Sequence, residues 1–320
     1  MKNIYMLMLC LITFVGSTQA QTERVEFKAP GTYPEGVAYH KGMDVFFVSS
    51  ARKAVIGKVT PAGNYTIVLN DTSLKSTFGM KIDEARNLLW FCAGDPNYSM
   101  YRDSSTWRKM TRLIALDCST GKKVKDIDLS NLFNGYHFPN DITLDDKGNI
   151  YMTDSYSPVI YKVDVNGASS VFAKSDWFSS VGVGLNGIAW HPAGYLLVAN
   201  NGSGAIFKVD MNAPTRVGKV KLSQFFPGAD GLLLDDANNL LLVQNKGVNK
   251  VFRLTSRDNW QNASVTAATE SKAMFAYPST ITKRKDVLWV MNARLSDLAD
   301  SNVVIAQKFS LQRADLKPVK

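Results

Sequence analysis

Short runs in which apolar and polar residues alternate, each followed by a turn rich in Asp, Asn, Gly or Lys, recur along most of the chain. The clearest unit is HFPNDITLDDKGNIYMTDS, residues 137 to 155. Ile142 and Leu144 alternate with polar neighbours, Asp145-Asp146-Lys147-Gly148 reads as a turn, and Ile150-Tyr151-Met152 forms a second run ending on Thr153 and Asp154. A period of two on both sides of such a turn predicts a hairpin of two short strands.

Five further stretches align on the same turn: EGVAYHKGMDVFFVSS from Glu35, FGMKIDEARNLLWFCAGD from Phe78, NGIAWHPAGYLLVANN from Asn186, DGLLLDDANNLLLVQN from Asp230 and STITKRKDVLWVMNAR from Ser279. The six starts, at 35, 78, 140, 186, 230 and 279, are spaced by 43, 62, 46, 44 and 49 residues. That is close to the repeat length of a four-stranded propeller blade, so the chain is expected to be one all-β domain, a six-bladed β-propeller over residues 21–320. The sixth blade supplies three strands, read at 280–283, 287–291 and 303–309. Arg24-Val25-Glu26-Phe27 also alternates and is expected to be the fourth, closing the ring and removing its open edges. The Lys-rich tail after residue 312 is expected to be loose.

In such a ring the first residues of all six repeats, the ends of the second strands and the loops after them converge on one mouth, where function belongs. The long loop 95–110 (DPNYSMYRDSSTWRKM) accounts for the 62-residue spacing. Its Tyr98, Tyr101 and Trp107 form either a lid over the mouth or a loop packed on a neighbouring blade. Phe133, Tyr136, Trp177 and Phe178 are expected on the same rim.

Residues 1–20 differ from the rest. Lys2 precedes an apolar run from Ile4 to Val15 and then Gly16-Ser17-Thr18-Gln19-Ala20. This is the pattern of a secretory signal peptide cleaved after Ala20, which predicts an exported protein, periplasmic or secreted, with no membrane anchor after cleavage. The mature chain keeps Cys92 and Cys118. On paired strands they fall about four residues out of register, too far for a bridge, and are expected as buried free thiols. The formal net charge of +9 comes from scattered lysines and arginines without the aromatic interleaving of a nucleic-acid platform. A small-molecule substrate, rather than nucleic acid, is the expected partner.

The first positions of the repeats read Glu35, Phe78, Asn140, Asn186, Asp230 and Ser279. Polar residues often begin strands because they end turns. Glu35, Asn140, Asn186 and Asp230 in register nevertheless form a ring of carboxylates and amides, the donor set of a hard cation such as Ca2+, although another divalent cation would also fit. Zinc or iron would call for imidazole or thiolate, which these positions lack. His40 and His191 fall in turns at the far face and read as structural. His137 lies beside the mouth, as a substrate contact or as a packed rim residue. Ser49-Ser50, Ser155 and Ser279 show no nucleophile-elbow pattern.

The segments PEGVAYH, FPNDITLDDKGNIYMTDS, LNGIAWHPAGYLLVAN and GADGLLLDDANNLLLVQN resemble the blade starts of the SMP-30/gluconolactonase/LRE-like family, calcium-dependent six-bladed propellers related to diisopropylfluorophosphatase and paraoxonase. The resemblance covers residues 24 to 312. It implies Glu35, Asn140, Asn186 and Asp230 as calcium ligands, and hydrolysis of lactones or related esters with Asp230 as general base. Two departures stand out. Phe138 occupies the place where gluconolactonases carry a basic residue. Asp141 lies in a motif similar to the paraoxonase Asn-Asp pair, as a second calcium ligand or as an outer acceptor. The alternatives are phosphotriester or organophosphate hydrolysis, with Asp230 attacking phosphorus, and a propeller that binds a ligand without turnover.

Overall fold

The computed structural model describes residues 23–319; the expected signal peptide lies outside the described residues. Six sheets follow one another around a ring, five of four antiparallel strands and one, blade 5, whose four strands gain Lys221–Leu222 in parallel and Leu316–Pro318 on the outer strand, and among the described residues no α-helix interrupts them. Blade 3 shows the plan: Pro139–Leu144 is the inner strand, followed outward by Ile150–Asp154, Val159–Val163 and Ser169–Lys174. Each hairpin forms where the alternation predicts it. Ile142 pairs with Met152 and Leu144 with Ile150, across a turn in which the Asp145 carboxylate accepts the Lys147 and Asn149 amide protons.

Both faces of the middle strands are covered by neighbouring blades, so they read as nearly continuous apolar runs; Leu240–Gln244 and Ile150–Asp154 are buried throughout. The resulting core is a series of joints between adjacent blades. At the joint of the last blade with the first, Tyr33 meets Phe309 edge-on with ring centroids 5.3 Å apart, and Phe46 meets Trp289 in the same way at 5.9 Å.

Arg24–Lys28 completes blade 6, as expected, but against a different strand. It pairs with Lys308–Arg313, from Arg24 opposite Gln312 to Lys28 opposite Lys308. The apolar run Val303-Val304-Ile305 is not the strand: Val304 is 84% exposed, whereas Phe309 and Leu311 carry the buried alternation. Residues 295–307 instead leave the sheet through a short 3-10 turn, Leu295–Ala299. A second difference is the tail. Leu316–Pro318 adds to the outer edge of blade 5 by pairing with Asn262–Thr269, so the chain end is tied down rather than loose. Cys92 pairs with Leu113, and both cysteines are buried free thiols.

The N-terminal strand therefore joins the two ends of the chain, and Phe27, buried against Tyr65 and Phe309, is its anchor. Phe27→Ala should cost about 3–5 kcal/mol, the usual range for a buried aromatic, with one cooperative transition retained in urea. Removing residues 21–28 altogether should break that cooperativity. A truncated protein that melts like the full chain would refute closure by this strand.

Candidate functional site

The six inner strands meet at the ring axis with almost no space between them. A Cβ on Gly36 would lie 2.4 Å from the Phe78 carbonyl oxygen, and one on Gly187 would lie 2.1 Å from that of Asp230. The second residue of most repeats is glycine for this reason: the next blade's first residue passes directly beneath it. Where blade 6 meets blade 1, Ser279 and Thr280 donate their hydroxyls to the Glu35 carbonyl oxygen at 2.6 and 2.9 Å.

Glu35, Asn140, Asn186 and Asp230 are all buried at this crowded axis. Their nitrogen donors and some of their oxygens are engaged. Asn140 donates its Nδ2 proton to Ser155 Oγ at 2.9 Å. The Asn186 amide supports the Asp230 carboxylate, and Asp230 Oδ2 accepts from Asn245 Nδ2 at 2.5 Å. These bonds fix the amide orientations and leave one oxygen on each residue without a partner: Glu35 Oε2, Asn140 Oδ1, Asn186 Oδ1 and Asp230 Oδ1. Asp141 Oδ2, Asn201 Oδ1 and Asn245 Oδ1 are buried and unpaired in the same way.

Every orphan here is an acceptor. A buried acceptor without a donor costs about 1–3 kcal/mol, and the charges add to the strain. Burial first, then the neighbouring Asp230 and Asp141, push the Glu35 carboxyl well above the ordinary range. Burial and Asp141 do the same to Asp230, and burial raises Asp141, with Lys81 opposing it. The donor set fits an oxygen-seeking divalent cation and not zinc. Among the described residues no three His, Cys, Asp or Glu side chains gather into a metal-holding group; the candidate set mixes two carboxylates with two amides.

Asn201 and Asn245 were not among the ring candidates read from the sequence, where Asn201 stands out only as the asparagine of an Asn-x-Ser site. Both directly follow the end of a second strand, a position that the repeat alignment makes available. Asp141 takes the place of the recurrent glycine. One of its oxygens accepts the Ile142 amide proton at 2.8 Å and the other is free, so it combines an inner acceptor with an unspent oxygen.

His137 does not face the ring. Its Nδ1 lies 2.7 Å from Asp154 Oδ2, and Asp154 also accepts the amide protons of Phe138, Tyr156 and Ser157, which makes the pair a clamp on the entry to the inner strand. The imidazole lines a cavity of about 660 Å³ with Lys109, Arg112 and Asp128, and that cavity includes none of the six ring positions. His40 and His191 accept amide protons from Met43 and Ala193 in their own turns, consistent with structural roles.

The 95–110 loop divides its aromatics. Tyr98 packs on Phe78 and Phe138, with centroids 6.3 and 6.1 Å away. Tyr101 packs against the joint of blades 1 and 2, and Trp107 lies on the surface beneath Arg108. On the rim, Tyr136 and Trp177 are exposed, whereas Phe178 has sunk into the core.

No protein-family profile and no curated protein sequence matches the chain. Solved structures do. A major allergen of Malassezia sympodialis, Mala s 1, superimposes with a TM-score of 0.75 at 16% identity over 92% of this chain and 97% of that one. A gluconolactonase of Xanthomonas campestris gives 0.60 at 16% over 91% and 89%. Virginiamycin B lyase of Staphylococcus aureus gives 0.61 at 17% over 93% and 88%. At these identities the likeness establishes the six-bladed fold.

The crowding at the axis makes a direct prediction. Gly187→Ala must push on the Asp230 backbone, which cannot rotate away, and should destabilise the protein by about 1–3 kcal/mol or more. Gly218→Ala, whose new Cβ would find its nearest atom at 3.9 Å, should stay within about 0.5 kcal/mol of wild type. Equal melting temperatures for the two variants would refute the close packing.

Proposed function

We propose that the protein is a calcium-dependent hydrolase of lactones or related esters, exported after signal cleavage and acting on a small molecule. The observation that carries this reading is the set of buried, unpaired oxygens on Glu35, Asn140, Asn186 and Asp230, the four positions at which the repeats and the family resemblance agree. These residues would hold the ion; another divalent cation of similar preference remains within the proposal. When bound, calcium supplies a Lewis acid that polarises a carbonyl oxygen and offsets the negative charge that develops there.

The chain's own part is positioning and proton transfer. Asp230 takes a proton from the attacking water as its oxygen bonds to the carbonyl carbon. The carbon–oxygen bond to the leaving alkoxide then breaks, and the proton returns to that alkoxide. Asn245, bonded to Oδ2, holds the Asp230 carboxylate in one orientation.

Calorimetric titration of chelator-treated protein should show a calcium site that Glu35→Gln and Asp230→Asn both weaken, and a lactone and ester panel should show turnover that chelator abolishes. With calcium high enough to fill the site, Asp230→Asn should lose about 10²- to 10⁴-fold in kcat, the usual contribution of a general base, whereas Asn186→Ala should lose far less. Equal residual rates would mean that Asp230 only holds the ion. Turnover of a phosphotriester but of no lactone would transfer the site to phosphorus chemistry, and calcium uptake without any turnover would make the propeller a binding module.

A further inference from the structure

The mouth above the candidate ion site has two unlike walls. On the side of blades 2 and 3 it is aromatic. Phe78, itself a ring residue, and Phe138 lie 4.9 Å apart in the core, and the half-buried Tyr98 packs over both and presents the outer surface. On the side of blades 5 and 6 a cavity of about 660 Å³ is lined by Lys246, Asn249, Tyr277 and Arg294. Arg294 is held by Asp297, with Nε 2.9 Å from Oδ2. Lys246 has no hydrogen-bond or ion-pair partner among the described residues, is exposed, and directly follows Asn245, whose amide holds the Asp230 carboxylate.

Tyr277 joins the two sides. It also lines a cavity of about 690 Å³ with Tyr98, Asn97, Met100 and Leu295. Its backbone sits in the left-handed region at φ 50°, a conformation a tyrosine adopts only when its surroundings hold it there. Among the described residues neither the Tyr98 nor the Tyr277 hydroxyl has a hydrogen-bond partner.

We propose that the substrate is amphiphilic: an ester or lactone whose apolar or aryl body lies against Tyr98 and Tyr277 while an acidic group reaches Lys246. This rests on the hydrolytic reading above and names its substrate class. A polyhydroxylated ring would place most of its hydroxyls against the ring faces of Tyr98 and Tyr277, which offer them no hydrogen bond, and buried unpaired hydroxyls are disfavoured. An aryl or alkyl group gains from the same wall. The free ammonium favours an anion near it, in a salt-dependent manner because Lys246 is exposed.

The test uses monophenyl glutarate, its neutral methyl ester, and glucono-1,5-lactone, with the full-length protein loaded with calcium. The charged aryl ester should exceed its neutral counterpart about 10-fold in kcat/KM, mostly through KM. Lys246→Met, at an exposed position, should erase that ratio, as should high salt. Tyr98→Ala should lower both aryl esters about 10-fold or more, and Tyr98→Phe should restore most of the loss. Gluconolactone as the best substrate, or a charged-to-neutral ratio unmoved by Lys246→Met, overturns the substrate class while leaving hydrolysis standing. If none of the three is turned over in a chelator-sensitive way, the hydrolytic reading fails instead. Calorimetric binding of 4-phenylbutyrate to wild type and Lys246→Met then decides the class alone: Lys246-dependent binding upholds it, and no binding overturns it.

Discussion

The structure depends on how closely six inner strands approach one axis. Four of the six second-position residues, Gly36, Gly79, Gly187 and Gly231, carry no side chain because the neighbouring blade's backbone occupies the space where a Cβ would stand. This crowding buries the first-position side chains. The protein then spends its donors on orienting them, through Ser155, Asn245 and the amide of Asn186. It leaves the acceptors open. A core selected for stability alone would place apolar residues there, as blade 2 does with Phe78. Local rules broken without internal compensation mark sites whose compensation comes from outside the chain.

Charge sharpens that argument. Burial raises the carboxyls of Glu35, Asp141 and Asp230; Asp230 and Asp141 push Glu35 up further and Asp141 does so to Asp230, while Lys81 opposes the rise for Glu35 and Asp141. Without a further positive charge such groups are driven to hold protons. Asp141 is the least strained of the three because backbone amides of Ile142 and Ile188 support it, which sets it apart from Glu35 and Asp230. Gly79 makes the room it needs, since a Cβ there would lie 2.4 Å from Asp141 Oδ1.

Much of this was legible in the sequence because a propeller writes its plan locally. Each blade is a hairpin plus two strands joined by short turns, so the Asp145 turn and its five counterparts set the register of every inner pair, and register places the first residue of each repeat at the axis. What local pattern could not supply was partner choice across long gaps. Val303-Val304-Ile305 is more apolar than Lys308–Arg313, yet only the latter alternates in phase with Val25 and Phe27. The tail strand Leu316–Pro318 is recruited by an outer edge of blade 5 that no sequence signal near residue 316 announces. His137 was legible as a neighbour of the mouth but not in its direction, which Asp154, seventeen positions later, decides. Asn201 and Asn245 escaped because an asparagine after a strand is ordinary in sequence and unusual only once its oxygen is found buried and unpaired.

The same geometry ties the site to the whole chain. Glu35 belongs to the first blade and Asp230 to the fifth, with blade 6 between them around the ring. Blade 6 is assembled from both ends of the chain, and its Ser279 and Thr280 hydroxyls hold the Glu35 carbonyl. The two candidate carboxylates therefore cannot reach their final separation until Arg24–Lys28 has found Lys308–Arg313, a pairing across nearly the full sequence and among the most expensive in loop-closure entropy. Blades 2 to 4, which supply Asn140 and Asn186, need only local pairings. The amide half of the ring is set by local structure and the acidic half by closure, so a cation that draws Glu35 and Asp230 together favours the closed ring over any open one. By linkage such a cation would stabilise the fold through the same four candidate residues.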